Sequence, residues 1–156
     1  MIRPCTQQYI RVIVTRAHRE GKKVVFTNGV FDLLHRGHVD YLAKARSLGD
    51  LLIVGLNSDA SVHRLKGPAR PMQPQADRAA ILLALKAVDY VVLFSEDTPE
   101  KLISIVRPDV LVKGADYKMS EIVGANLVRS YGGRVKRVRL TSGRSSSKII
   151  SCLGEE

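Results

Sequence analysis

The sequence predicts an α/β fold built on one parallel five-stranded sheet with helices on both faces, and three observations carry that expectation. Short β-branched and apolar runs alternate with segments of helical periodicity along the whole chain. Glycine, proline or a capping residue stands at nearly every junction. No internal repeat, low-complexity tract or linker interrupts the alternation, so residues 1–156 read as a single domain, with a lead-in helix over 1–21 and a core over 23–150.

From Thr6 to Glu20 the apolar residues Tyr9, Ile10, Ile13 and Ala17 recur at helical spacing; Thr6 is placed to cap the start and Gly21 the end. Val24-Val25-Phe26, bounded by Lys22-Lys23 and Asn28-Gly29, predicts a buried first strand that stops at a glycine turn. Val39, Leu42, Ala43, Ala45 and Arg46 predict a helix ended by Gly49, and Leu51 to Leu56 the second strand. Asn57 to Pro74, with Gly67, Pro68, Pro71 and Pro74, predicts a long functional connection. Ala76 to Ala87 predicts a helix and Tyr90 to Phe94 a strand. Thr98-Pro99 is expected as N-cap and first position of a helix ending before Pro108. Val110-Leu111-Val112 is the fourth strand. A helix from about Ser120 to Tyr131, the Gly132-Gly133 break, a fifth strand near Arg134 to Leu140 and a short helix from near Ser145 complete the pattern. Helices between successive strands force parallel pairing, giving a doubly wound, Rossmann-like domain whose ligands sit at the carboxyl ends of the strands.

The formal net charge of +10 calls for an anionic ligand. Three Phe, five Tyr and no Trp are too few aromatics for a base-stacking platform, so phosphorylated small molecules are expected rather than nucleic acid. A basic nucleic-acid-binding module is the rival reading from another class. Cys5 and Cys152 have no metal-ligand or redox spacing. The apolar runs fall far short of the roughly 20 residues of a membrane span, and the N-terminus lacks the layout of a secretory signal, so a cytoplasmic location is expected.

The chemistry concentrates in Thr27-Asn28-Gly29-Val30-Phe31-Asp32-Leu33-Leu34-His35-Arg36-Gly37-His38, between the first strand and the next helix. Gly29 is expected to let the chain turn from the strand, and Gly37 to bring backbone and helix N-terminus close to a phosphate. His35 and His38, three apart, would face one side, their ring N–H groups converging on one anion. No third Cys or His ligand stands near, which makes phosphate a better candidate than zinc.

These residues resemble the cytidylyltransferase-like nucleotidyltransferase family, whose hallmark is a His-x-Gly-His turn after the first strand. The resemblance runs from Lys23 to Ile150 and includes Leu65-Lys66-Gly67 with Arg70-Pro71, Val112-Lys113-Gly114-Ala115-Asp116-Tyr117, and Gly143-Arg144-Ser145-Ser146-Ser147-Lys148-Ile149-Ile150. Within the family it is most similar to adenylyltransferase domains that make ADP-activated heptose for lipopolysaccharide. Bifunctional members carry a sugar kinase before this domain; the sequence shows none, so a stand-alone form is expected. The resemblance implies that a substrate phosphate attacks the α-phosphorus of ATP, with Mg²⁺ bridging the triphosphate. It implies that His35 and His38 stabilise the transition state, that Phe31 and its neighbours offer backbone N–H groups, and that Asp32 orders the turn or takes part in metal binding. Lys66 and Arg78 are the expected cations for pyrophosphate or acceptor phosphate. Thr27, Asn28, Gly29, Gly37, Lys113, Gly114 and Asp116 complete the nucleotide site, with Ser145, Ser146 and Ser147 at a second helix N-terminus; Asp59 and Tyr117 are weaker acceptor-site candidates. Leu140 stands where glycerol-phosphate cytidylyltransferases have arginine, favouring ATP over CTP. Heptose 1-phosphate leads as acceptor, with glycerol 3-phosphate, an FMN-type phosphate or another sugar phosphate as alternatives, and a homodimer is the assembly the resemblance suggests.

Overall fold

The computed structural model describes residues 4–139, 141 and 146–153, and of residues 146–148 and 153 the backbone alone. Five strands, β1 (Val24–Gly29), β2 (Leu51–Asn57), β3 (Tyr90–Phe94), β4 (Val110–Gly114) and β5 (Arg134–Val138), form one sheet in the order β3-β2-β1-β4-β5. Every pairing is parallel. The winding reverses between β1 and β4, which places a crevice at the carboxyl edge of those two strands.

Strand alternation explains why both faces are covered. Phe26, Ile53, Val92 and Leu111 point to one face and pack with Ile10 and Val14 of α1 (Gln7–Arg19), Leu102 and Ile103 of α5 (Glu100–Val106) and Val128 of α6 (Ala125–Ser130). Their neighbours Val25, Leu52, Val54, Val91 and Val110 point the other way, onto Tyr41 and Leu42 of α2 (Arg36–Arg46) and Leu82 of α4 (Gln75–Leu83). A sheet buried on both sides needs continuous apolar strands rather than a polar/apolar alternation, and these strands are written that way. Close approach of the layers also fixes Gly55: a Cβ there would lie 2.8 Å from Phe26 Cζ and 3.1 Å from Leu102 Cδ2.

Three aspartates fasten the amino edge of the sheet. Asp50, Asp89 and Asp109 each stand at or just before a strand and accept a hydrogen bond from a backbone N–H of the strand beside it: Lys23 (2.7 Å), Leu52 (2.7 Å) and Val24 (2.7 Å) respectively. Asp89 also pairs with Arg46 at 2.9 Å, and Asp109 lies 3.3 Å from His18 Nε2. Carboxylates bonded to backbone N–H groups hold strand ends whose donors would otherwise lack partners.

Several boundaries differ from the sequence reading. The connection expected over 57–74 contains a helix, α3 (Asp59–Lys66), capped by Ser58 Oγ, which accepts from Ser61 N at 3.2 Å. Only Ser61 and Val62 of α3 are buried, so the apolar stripe that reveals a helix in sequence is almost absent. The helix expected over Ser120–Tyr131 is instead a short 3₁₀ turn, Met119–Glu121, and α6, separated at Gly124 (φ 83°). A Cβ at Gly124 would sit 2.5 Å from Ile103 Cδ1, so the break lets this segment close on α5. Pro99 is the N-cap of α5 rather than its first residue, α4 stops at Leu83, and β5 stops at Val138. The last helix, α7 (Ser146–Leu153), starts close to its expected place. No helix among the described residues is long and apolar enough to cross a membrane.

Candidate active site

The first strand delivers its carboxyl end to the switch point, and the chain then reverses over it. The reversal occurs at Phe31, whose φ of 46° is left-handed, and not at Gly29 as the sequence suggested. A non-glycine residue there costs about 1 kcal/mol. What Gly29 provides is space: a Cβ would lie 3.0 Å from the Phe31 ring, which is buried against it. Phe31 in turn meets the His38 ring edge-on at 5.3 Å between centroids.

His35 is the N-cap of α2, and its carbonyl accepts from His38 N (2.9 Å) and Val39 N (3.3 Å). Gly37 is buried within the first turn. Three-residue spacing at a helix start brings the two imidazoles face to face, 3.9 Å between centroids and 22° from parallel. The stack sits where the first N–H groups of α2 lack intrahelical acceptors, and the helix dipole favours negative charge there. Burial first, then the neighbouring His35 and Lys66, push the His38 pKa down from 6.5 to about 4. Its Nδ1 is buried with no hydrogen-bond partner among the described residues. His38 is therefore neutral near pH 7, with a ring nitrogen waiting for a ligand.

That depression has a measurable sign. The unfolded chain takes up this proton near pH 6.5, the folded chain only near pH 4, so the stability linked to His38 is complete above pH 6.5 and is lost as pH falls toward 4. NMR titration of the ligand-free protein is expected to place His38 well below an ordinary histidine, and saturating ATP to raise it, because an adjacent anion favours imidazolium. An unshifted His38 in the free protein would refute the burial argument.

The opposite wall comes from β4. Lys113 is half-buried, its Nζ 3.4 Å from the Asn28 carbonyl and 5.4 Å from the Tyr117 ring centroid. Burial lowers its pKa from 10.5 to about 8, against the opposing effect of Asp116. Gly114 ends β4, and Asp116 and Tyr117 follow in the open. Together with Lys66 at the end of α3, Asn57 at the end of β2 and Phe94 at the end of β3, these residues enclose a crevice of about 380 Å³.

Of the expected site residues, Asn28, Gly29, Phe31, Asp32, His38, Lys66, Lys113, Gly114, Asp116 and Tyr117 line this crevice, and His35 stacks on His38. Thr27, Arg78 and Asp59 are not on the crevice wall. Thr27, two residues before the end of β1, is fully buried, its hydroxyl 2.8 Å from Tyr41 Oη. Arg78 is also fully buried. Its guanidinium donates to the carbonyls of Val30 (2.6 Å) and Gln73 (3.0 Å) and to Asp59 Oδ1 (2.7 Å), leaving it engaged inside the protein. Asp59 is occupied by that pair and by Gln75 N, which donates to Oδ2 at 3.1 Å. Ser145 lies outside the described residues, as do the side chains of Ser146 and Ser147.

Asp32, expected to order the turn or take part in metal binding, is engaged by the loop that faces it. Met72 N donates to both its oxygens (2.8 and 3.0 Å), Gln73 N donates to Oδ1 (3.1 Å), and Arg70 Nε stands 2.8 Å from Oδ2. No group of three or more His, Cys, Asp or Glu among the described residues is arranged to hold a metal ion. Sequence reasoning missed Tyr41, Asn57, Arg70, Phe94 and Asp97, all of which line the crevice. Position held a signal for two of them: Asn57 and Phe94 are the last residues of β2 and β3, on the edge where a doubly wound sheet binds ligands.

Comparison with known proteins agrees with this geometry. The cytidylyltransferase-like family profile matches residues 26–151. The bifunctional protein HldE of Syntrophotalea carbinolica is 58% identical over 144 residues, 92% of this chain and 29% of that protein. The protein of the same name from Geobacter sulfurreducens is 57% identical over 148 residues, 92% of this chain and 30% of that protein. The chain thus spans less than a third of the length of these curated relatives. Among solved structures, the lipopolysaccharide core biosynthesis protein from Thermoplasma volcanium superposes with a TM-score of 0.64 at 36% identity, covering 78% of this chain and 98% of that one. A pantoate-beta-alanine ligase from Francisella tularensis shares the fold at a TM-score of 0.62 and 16% identity, covering 97% of this chain and 76% of that one.

Proposed function

Because this chain belongs to the cytidylyltransferase-like family, we propose that it transfers AMP from ATP to a sugar 1-phosphate, D-glycero-D-manno-heptose 1-phosphate, releasing pyrophosphate and ADP-heptose for lipopolysaccharide core synthesis. The observation that carries the chemistry is the His35–His38 stack at the N-terminus of α2, on the switch point of the sheet. The heptose is supported by HldE relatives at 57–58% identity and by a solved relative titled for lipopolysaccharide core biosynthesis.

In this reaction a phosphate oxygen of the acceptor forms a bond to the α-phosphorus, the bond from that phosphorus to the bridging oxygen breaks, and pyrophosphate leaves with the electron pair. No enzyme nucleophile is needed, so the protein orients the reactants and stabilises charge on the equatorial oxygens. The neutral His38 ring donates one N–H to such an oxygen, and burial strengthens that bond relative to water. The exposed backbone N–H groups at the start of α2 act on the same oxygens. On the other wall, Lys113, Asp116 and Tyr117 line the crevice, and in this reading they meet the nucleoside, Asp116 as acceptor for ribose hydroxyls and Tyr117 as a flat contact for the base. With Asp32 occupied, Mg²⁺ would be held by triphosphate oxygens and water, as is common for this ion.

The test is pyrophosphate release from ATP and from CTP, with Mg²⁺ and a panel of acceptors: heptose 1-phosphate, glycerol 3-phosphate and FMN. Release that requires ATP and the heptose together is expected. Release with another acceptor would replace the substrate and keep the reaction, and none with any pair would overturn the proposal.

A further inference from the structure

The crevice is lined from several elements: Lys113, Asp116 and Tyr117 come from the end of β4 and the turn after it, Asn57 and Phe94 from the ends of β2 and β3, Asp97 from the turn after β3 and Arg70 from the loop after α3. Arg70 and Arg78 are alike in sequence terms, two cations flanking the same turn, but the structure uses their donors differently. Arg78 is saturated by two carbonyls and a carboxylate within the protein. Arg70 is held by an ion pair: its Nε is 2.8 Å from Asp32 Oδ2, and its guanidinium forms no hydrogen bond among the described residues. Asp32 has turned its acceptor directions to the backbone N–H groups of Met72 and Gln73. The side chain of Arg70 is only 15% exposed and lines the crevice. A guanidinium carries five N–H donors in a rigid fork matched to phosphate, and here that fork is oriented by a buried carboxylate with its donors unengaged.

We propose that Arg70, presented by Asp32 as a positioning residue, binds the phosphate of the acceptor in this crevice and selects phosphorylated acceptors over their unphosphorylated counterparts. The inference rests on the nucleotidyl-transfer reading. Asn57 and Asp97 also line the crevice, Asn57 Nδ2 donating to Ser61 Oγ at 3.0 Å and Asp97 pairing with Arg64 at 3.0 Å, so Arg70 supplies the cation for the acceptor phosphate.

The experiment compares wild type with Arg70→Gln and Arg70→Lys, each checked for an unchanged melting temperature. Calorimetry first measures binding of a non-hydrolysable ATP analogue, then of heptose 1-phosphate and glycerol 3-phosphate to the analogue-saturated protein. Steady-state KM for ATP and for the best acceptor follows. Arg70→Gln is expected to weaken acceptor binding and raise acceptor KM roughly ten- to a hundredfold, as loss of one or two charge-assisted hydrogen bonds does, with ATP affinity within about twofold. Arg70→Lys should recover part of the loss. A drop in ATP affinity with acceptor binding unchanged would assign Arg70 to the triphosphate and overturn the proposal, as would wild-type protein that binds the analogue but neither phosphate. Failure of heptose 1-phosphate alone, with glycerol 3-phosphate binding weakened in the variant, would remove the heptose from the functional reading and leave the role of Arg70 standing.

Discussion

Replacing His38 with alanine is expected to lower kcat by about 10²–10³-fold, the usual effect of removing one preorganised donor from a charge-developing centre, while KM for ATP changes little. The reason for the split is that His38 gains most when charge accumulates on the equatorial oxygens. In the ground state its neutral ring is one donor among several, alongside the start of α2, Lys66 and Lys113. As the phosphorus becomes five-coordinate, the ring meets greater negative charge in a site where burial has already removed competing water. His35→Ala should cost less through direct contact, because that ring lies behind His38 in the stack and is not itself on the crevice wall. It should still raise the pKa of His38, since His35 contributes to the depression. The double variant should fall well short of the product of the two single effects, as expected for groups acting as one unit. Pyrophosphate release measured at saturating ATP and acceptor checks all three. A His38→Ala enzyme within about threefold of wild type would remove the histidine stack from the transition state.

The fold was legible because β1 to β4 have little freedom to be anything else. Val24-Val25-Phe26, Leu51–Leu56, Tyr90–Phe94 and Val110-Leu111-Val112 are apolar on both faces, and a strand of that kind must be covered on both sides. The histidine pair was legible for a similar reason: a strand, a turn and a helix start leave three-spaced side chains only one direction to share. What sequence hid was decided by tertiary partners. Nothing local says that Arg78, at a helix start, will turn inward to the Val30 carbonyl 48 positions away while Arg70 stays on the crevice. Asp32 carries the same ambiguity, since an aspartate in a phosphate-binding turn can hold a metal or a loop, and only the N–H groups of Met72 and Gln73 decide between them. Helix α3 was hidden because it buries so little. Gly29 drew the turn to itself on propensity, whereas packing of the Phe31 ring put the left-handed residue two positions later.

Arg78→Ala should destabilise the protein by about 3–5 kcal/mol, the range for breaking a buried ion pair from one side. For a chain of this size that corresponds to a melting temperature lower by roughly 10 °C or more. The loss has three parts: the Val30 and Gln73 carbonyls lose their donor, Asp59 loses its cationic partner, and the space of a fully buried arginine is left open. Removing the carboxylate instead should cost less. Asp59 has 35% of its side chain exposed, and in Asp59→Ala the guanidinium keeps both carbonyls. Changing both together, Arg78→Met with Asp59→Leu, should recover part of the stability, because the charge left unpaired in the single variant is then absent. Activity distinguishes this clamp from a phosphate ligand. Arg78 fixes the carbonyl of Val30, one residue before Phe31, and reaches the 67–74 loop through Gln73, so its loss should loosen the turn that supports His38 and reduce turnover in step with stability. Thermal melts and turnover on the same set of variants, assayed well below their midpoints, separate the two. A protein that melts like wild type but has lost its affinity for ATP or the acceptor would place Arg78 on the substrate after all.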